Sequence, residues 1–262
     1  MPNNTTQAAP MGAAAPALSD WSLINTELGT RFTLTATGRI EREADPDGSP
    51  GPLMFLAGCD SGNLVQFGHE LGSDLVAELD ALAAEEPPLS KPDAVPIHLG
   101  RYLELLRPFG PLETHPGLSF HLPHRAPAPI TASLIASGTV EGDQLEAILA
   151  REGMAPDLVE MGFRGIGDLW APWCLALQDG QIASLAFTAR LGADGAELGL
   201  ATLPAFRGRG LAAAATAGWS ALPALAERTL FYSTAMSNLA SQRVVAKLRL
   251  KFLGPTLSIS RV

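Results

Sequence analysis

The chain has 262 residues and a formal net charge of −9 at pH 7. This length suffices for one large domain or two small ones, and a content of 47% hydrophobic and 17% charged residues excludes a disordered chain. An acidic surface argues against binding to nucleic acid or to an anionic membrane, since both need clustered Lys and Arg. It leaves room for a local basic pocket that binds a small anion.

The cysteines and histidines indicate neither a disulfide framework nor a metal site. Cys59 and Cys174 lie far apart and outside any Cys-x-x-Cys pair. His121 and His124 are three residues apart, but Pro123 favours a loop over a helical metal-binding pair, so we predict no metal.

The N-terminus lacks the basic start and the apolar stretch of a signal peptide, and no segment reaches the roughly 18 apolar residues of a membrane span. We therefore expect a cytoplasmic monomer or homodimer with no nucleic-acid or membrane partner.

The first half of the chain has a mixed pattern. Residues 1–17 are rich in Ala and Pro without periodicity and predict a disordered arm. Beyond it the sequence predicts an α+β region over residues 18–127, and a Pro-rich linker at 121–130. The predicted elements of the α+β region begin with a strand over 31–43 and a hairpin over 52–71 with its turn at 60–63. They continue with a helix that has Ser73 as N-cap and ends at 85–88, and with a short helix that ends at Pro108.

The second half, residues 128–262, shows a clearer alternation of elements. The order is strand, helix, three-strand meander, helix, strand, helix, strand. Asp179-Gly180 and Asp194-Gly195 are hairpin dipeptides and mark the turns of the meander. This order predicts an α/β protein with a mixed sheet.

The segment that carries chemistry is Arg-Gly-Arg-Gly-Leu-Ala at residues 207–212, between a predicted strand and a predicted helix. Gly208 and Gly210 allow a tight turn that brings backbone N–H groups close to a ligand. The first turn of the helix adds unpaired N–H donors and the positive end of the dipole, while Arg207 and Arg209 add positive charge. These features predict a phosphate or pyrophosphate site. A Walker loop and a dinucleotide fingerprint are excluded, because neither glycine spacing is present.

This segment resembles the pyrophosphate-binding loop of the GNAT N-acetyltransferases, [QR]-x-x-G-x-[GA], through Arg207, Gly210 and Ala212. As in that family, the loop follows a strand and a proline, here Pro204. Residues 237–248 resemble the family's second motif, in which an Asn near a strand end leads into a helix.

The resemblance covers residues 130–262, and the order of elements matches as well. It implies a GNAT acyl-CoA acyltransferase fold, acetyl-CoA (coenzyme A) as cofactor, and transfer of an acetyl group to a primary amine of a small-molecule or amino-acid-like acceptor. Residues 18–127 are then an N-terminal companion region, for which a degenerate GNAT-like half is one interpretation.

The resemblance also implies roles for individual residues. Backbone groups of Thr202 and Leu203 would pair with the pantetheine arm like an added strand, and the Leu203 N–H would polarise the thioester carbonyl. The N–H groups of Gly208, Arg209, Gly210, Leu211 and Ala212 would hold the pyrophosphate. Asn238 would reach the pantetheine or the thiol end, with Ser241 nearby on the following helix.

The catalytic assignments have alternatives. Glu197, on the strand that leads to the loop, is the carboxylate best placed as a base, directly or through water; the alternative is an exposed hairpin residue. Tyr232, on the strand before Asn238, is the candidate acid for the leaving thiolate; the alternative is a packed strand tyrosine.

Four positions depart from the family pattern. Val245 stands where many relatives carry a tyrosine acid, and Ala201, Met236 and Ser237 replace a Glu and a Trp-Asp pair of two-part relatives. CoA binding is compatible with these departures, whereas they remove residues of the family's usual acid–base pair. They motivate the alternative of a non-catalytic acyl-CoA sensor.

Three of the four tryptophans, Trp170, Trp173 and Trp219, have two interpretations, the wall of an acceptor pocket or core packing.

Overall fold

The structure, a computed structural model, describes residues 18–128 and 132–262. The predicted arm at residues 1–17 and residues 129–131 of the predicted linker lie outside the described residues. Within the described ranges, no helix is long and apolar enough to cross a membrane.

The N-terminal half forms helices and strands that the sequence predicted only in part. Its elements are α1 (Asp20–Arg31), β1 (Phe32–Leu34), β2 (Ile40–Glu43), β3 (Met54–Cys59), β4 (Gly62–Phe67), α2 (Ser73–Ala84), α3 (Leu99–Leu106) and β5 (Leu112–Leu122). The predicted hairpin is confirmed as β3–β4, and the strand predicted over 31–43 is two short strands that pair with each other. The N-cap of α2 is Gly72 rather than Ser73, and no side chain caps this helix.

Two elements of this half were not predicted. Helix α1 begins after Ser19, whose hydroxyl accepts a hydrogen bond from the Ser22 N–H at 3.1 Å. Strand β5 contains Pro116 and Gly117, which are rare inside strands and hide its pattern.

The C-terminal half follows the predicted order closely. Its elements are β6 (Ser133–Ala136), α4 (Val140–Glu152), α5 (Pro156–Glu160), β7 (Cys174–Gln178), β8 (Gln181–Leu191), β9 (Gly195–Thr202), α6 (Leu211–Trp219), β10 (Thr229–Ala235), α7 (Leu239–Leu248) and β11 (Lys251–Arg261). The predicted mixed α/β class is confirmed, because nine strands form one sheet with antiparallel pairs and one parallel pair. Only the short helix α5 was not predicted.

The nine-stranded sheet runs through both halves in the order β4-β3-β11-β5-β10-β9-β8-β7-β6. The C-terminal strand β11 lies between β3 and β5, and β5 lies between β11 and β10. The predicted linker is therefore wrong at His121 and Leu122, which pair as part of β5. The division into two domains near residue 128 stays a prediction.

The parallel pair of β9 and β10 is short, and this positions the site. The strands pair only over Gly195–Thr229, Ala196–Leu230 and Glu197–Phe231. Beyond Glu197, β9 continues to pair with β8, while β10 continues with β5. The two strands thus diverge and leave a gap in the middle of the sheet.

Helices cover the sheet on both faces. Helix α6 packs over β7 and β8, and α1 packs over β9. Trp173 and Trp219 are fully buried, and the Trp219 indole donates to the Pro172 carbonyl at 2.8 Å, so both belong to the core. Trp170 is half-buried and packs edge-on against Phe187.

Candidate functional site

A cavity of about 340 Å³ lies at the gap between β9 and β10. Leu198 and Leu200 of β9 line one side, and Tyr232 of β10 lines the other. The remaining lining residues come from β10 itself and from α1, β5, β8, α7 with its N-cap, and β11: Arg31, His115, Pro116, Gly117, Arg190, Ser233, Thr234, Ala235, Asn238, Ser241, Thr256 and Ser258. Its volume falls within the range of small-molecule sites, and many of its lining groups are polar.

The backbone of β9 offers unpaired groups along this gap. The Leu203 N–H donates to the Ala183 carbonyl of β8 at 3.0 Å. Because successive groups of an antiparallel strand alternate between its two neighbours, the N–H and C=O of Leu200 and Thr202 point toward the gap. The pairing of Thr202 with a pantetheine arm stays a prediction. The Leu203 N–H, predicted to polarise a thioester, donates to β8 instead and is not available to a ligand.

The loop that follows β9 has the open geometry of an anion site. Gly208 and Gly210 have φ values of +79° and +84°, in the left-handed region that favours glycine, and Gly210 is the N-cap of α6. In the described part of the chain, the N–H groups of residues 208–212 donate to no acceptor. Five neighbouring donors at the positive end of a helix are therefore available to a phosphate group.

Three cations surround this loop. Arg207 is exposed and its Nε donates to the Thr202 carbonyl at 3.3 Å. The guanidinium of Arg209 lies 5.3 Å from the centre of the Phe206 ring. Lys247 of α7 was not predicted, yet its Nζ occupies the space that a Cβ at Gly210 would need. The predicted loop thus gains a third positive charge from a distant helix.

Tyr232, Ser241 and Asn238 form a connected group on the β10 side of the cavity. The Tyr232 Oη lies 2.8 Å from the Ser241 Oγ, and the Asn238 Oδ1 accepts from the Ser241 N–H at 3.0 Å as the N-cap of α7. Burial raises the pKa of Tyr232, which keeps its hydroxyl protonated near neutral pH. The sequence predicted all three residues near one another, and the structure brings them together.

Glu197 lies behind the cavity wall, in a buried charge cluster. Its side chain is 2% exposed; its Oε1 accepts from Arg190 Nη1 at 3.1 Å and from the Ser233 hydroxyl. Burial opposes ionisation, but Arg190 and Arg31 outweigh it and hold the pKa of Glu197 below its ordinary value. The alternative of an exposed hairpin residue is wrong. A carboxylate held in this state is a weak base, and its route to the cavity passes through Ser233.

Glu27 of α1 belongs to the same cluster and was not predicted. Its Oε2 accepts from the Ser119 hydroxyl at 2.6 Å, and its Oε1 lies 3.7 Å from Arg31 Nη1. Burial raises the pKa of Glu27 to about 7, although Arg31 opposes that shift.

The cavity residues that sequence reasoning missed come from outside the recognised motifs. His115, Thr256 and Ser258 lie on β5 and β11, which reach the site through long-range strand pairing, and Arg31 lies on α1, which packs over β9. No local pattern in the sequence marks them.

Comparison with known proteins finds no matching family model and no matching curated protein. Several solved structures do match. A protein from Novosphingobium aromaticivorans, described as a GNAT-family acetyltransferase, is 21% identical with a TM-score of 0.37; the match covers 57% of this chain and 66% of that one, just under two thirds of its length.

Two further matches cover more of each chain. A GCN5-related N-acetyltransferase-like protein from Streptococcus suis is 16% identical with a TM-score of 0.44, over 83% of this chain and 86% of that one. A GNAT-family acetyltransferase from Colwellia psychrerythraea is 16% identical with a TM-score of 0.42, over 80% and 81%. The family of these neighbours is the one that the two sequence motifs resemble.

Proposed function

We propose that this chain is an acetyl-CoA-dependent N-acetyltransferase that transfers an acetyl group to a primary amine of a small-molecule or amino-acid-like acceptor. The observation that carries the proposal is the run of unpaired N–H groups over residues 208–212, next to the gap between β9 and β10. A diphosphate bound at this loop directs the attached chain along the free edge of β9 and into the cavity.

The residues present fit coenzyme A in two respects. The pyrophosphate meets the loop N–H groups together with Arg207, Arg209 and Lys247, which supply positive charge in an otherwise acidic protein. The pantetheine amides meet the backbone N–H and C=O of Leu200 and the N–H of Thr202, in the manner of an added strand.

The cavity residues supply the remaining chemistry. Acetyl-CoA provides a thioester whose carbonyl carbon accepts the amine nitrogen while the thiolate leaves. The protonated hydroxyl of Tyr232, held by Ser241, donates a proton to that thiolate. The amine must attack in its neutral form. Its N–H donates to the Ser233 Oγ, whose own proton is donated to Glu197, and the proton that the nitrogen loses as the amide forms passes through this pair to Glu197.

A second candidate function is a non-catalytic acyl-CoA sensor. Two observations favour it: Glu197 is locked in ion pairs, and the position of the usual tyrosine acid is the buried Val245. The same loop would bind CoA in that case, but no acetyl group would be transferred.

The experiment that separates the two functions measures thiol release from acetyl-CoA over a panel of primary amines. Turnover above the rate of the amine-free control supports the enzyme and removes the sensor. Calorimetric binding of acetyl-CoA with no turnover for any amine supports the sensor. Absence of CoA binding at high micromolar concentration contradicts both.

A further inference from the structure

Arg31, the last residue of α1, lines the cavity but is left without hydrogen-bond partners. Its side chain is only 12% exposed. In the described residues its guanidinium donates no hydrogen bond: its Nε is buried without a partner, whereas its Nη groups are not fully buried and belong to the cavity lining. Buried guanidinium N–H groups nearly always have an acceptor, because a buried donor without one has lost its hydrogen bonds to water and gained none in return.

The neighbours of Arg31 hold its position without satisfying its donors. Its guanidinium carbon lies 5.1 Å from the centre of the Phe55 ring. Its Nη1 lies 3.7 Å from Glu27 Oε1, and its Nε lies 3.9 Å from Glu197 Oε2. Both distances allow electrostatic attraction but exceed hydrogen-bond length.

The second cavity arginine shows the contrast. Arg190 donates from Nε to Glu43 and from Nη1 to Glu197, so its guanidinium group already binds two carboxylates of the protein. The cavity therefore presents one arginine that is satisfied by the protein and one that is not. Of the two cavity arginines, Arg31 is the one whose donors are available to a ligand.

We propose that Arg31 binds a carboxylate of the acceptor substrate, so that the acceptor is an amine that also carries a carboxylate, as an amino acid does. A guanidinium forms two parallel hydrogen bonds with a carboxylate, which matches a planar group with free donors. The hydroxyls of Thr256 and Ser258 line the same cavity and add hydrogen-bonding capacity. This inference rests on the proposed transferase function, since it assigns one end of the acceptor.

The position of Arg31 suits such a role. It approaches the cavity from α1, on the face of the sheet that carries Glu197 and Ser233, whereas Tyr232 and Ser241 face the helices α6 and α7. An acceptor anchored at Arg31 thus presents its amine toward the gap from the side opposite to the proton donor.

The test uses ligands that need no turnover. The full chain, saturated with coenzyme A, is titrated with the N-acetyl derivatives of the twenty amino acids and, separately, with the corresponding N-acetyl amino-acid amides. We expect at least one acid to bind about tenfold or more tightly than its amide, because the amide cannot form the charge-assisted pair. The Arg31→Met variant loses this preference, and Arg31→Lys, which keeps the charge but not the fork, retains part of it.

Each outcome has a clear meaning. Binding of coenzyme A to each variant, with a cooperative unfolding transition, shows that the variant is folded. Equal binding of acids and amides, no binding of either, or an unchanged preference in Arg31→Met overturns the inference, even where the chain acetylates other amines. Failure of coenzyme A itself to bind overturns the proposed function and, with it, the assignment of Arg31.

Discussion

The hydroxyl of Tyr232 lies 2.8 Å from the hydroxyl of Ser241, and both residues line the cavity where β9 and β10 diverge. This pair joins a strand to the first turn of α7 and fixes the direction of the phenol. A protonated hydroxyl at this place is suited to donate a proton to a leaving thiolate.

Replacement of Tyr232 is expected to change the rate of the chemical step without changing the affinity for coenzyme A. Tyr232→Phe is expected to lower kcat for thiol release by about 100-fold while the affinity for coenzyme A stays within about twofold, because only the proton donor is removed. The other tyrosine of the chain is Tyr102, whose hydroxyl donates a hydrogen bond to Glu86 outside the cavity. Tyr102→Phe is therefore the matched control. Equal rates for the two variants would remove Tyr232 from the mechanism.

The charge cluster behind the cavity supports the fold. Arg190→Met removes the guanidinium that donates to both Glu43 and the buried Glu197 and leaves their charges without this ion pair, so we expect a loss of about 3–5 kcal/mol in the free energy of unfolding. Adding Glu197→Gln removes the uncompensated buried charge and restores part of that loss. Urea unfolding of the two single variants and the double variant measures the coupling; a loss below about 1 kcal/mol for Arg190→Met contradicts this view of the cluster.

Glu27 makes stability depend on pH in a defined direction. The folded chain keeps the Glu27 proton up to about pH 7, whereas the unfolded chain releases it near 4.5, so its stabilising contribution is present at low pH and is lost as the pH rises through that window. The slope contributed by this one group is at most about 1.4 kcal/mol per pH unit.

Glu27→Gln tests that slope because it keeps the size of the side chain and an acceptor for Ser119 while it removes the titration. Relative to wild type, the variant is expected to gain stability as the pH rises from 5 to 7, as measured by urea unfolding. Glu41→Gln, at an exposed strand position, serves as the control. Parallel pH profiles for wild type and Glu27→Gln would contradict the assignment.

Lys247 is expected to strengthen the binding of coenzyme A through its charge. Lys247→Met removes the cation next to Gly210 and is expected to weaken binding about tenfold at low salt, with a smaller effect at high salt. Arg249→Met removes the same charge from an exposed position two residues further along the chain and is the matched control. Similar affinities for the two variants would show that Lys247 does not act at the loop.

Local patterns predicted much of the C-terminal half. The hairpin dipeptides, the glycine-bearing loop and the passage from strand to helix at Asn238 are determined by neighbouring residues, and each of these segments has the expected element around it. The loop donors were likewise predictable, since a helix that begins after glycine leaves its first N–H groups free.

Long-range pairing explains what could not be predicted. Strand β5 is interrupted by Pro116 and Gly117, and its place between β10 and β11 joins residues that are more than 100 positions apart. His115 reaches the cavity through that pairing and Arg31 through the packing of α1 on the sheet, and the lowered pKa of Glu197 depends on Arg190 and Arg31 rather than on its own segment. Periodicity reports which face of an element is apolar but not which elements become neighbours.

The central claim, that the loop N–H groups hold the diphosphate of coenzyme A, is tested most directly by calorimetric titration of three proteins with coenzyme A. Gly208 and Gly180 have φ values of +79° and +77° and open space where a Cβ would lie, so Gly208→Glu and Gly180→Glu carry the same backbone strain and the same added charge. We predict that wild type and Gly180→Glu bind coenzyme A alike, while Gly208→Glu binds at least about 100-fold more weakly because a carboxylate meets the phosphates. Equal affinities for the two variants, or no binding by the wild type at high micromolar concentration, would contradict the account.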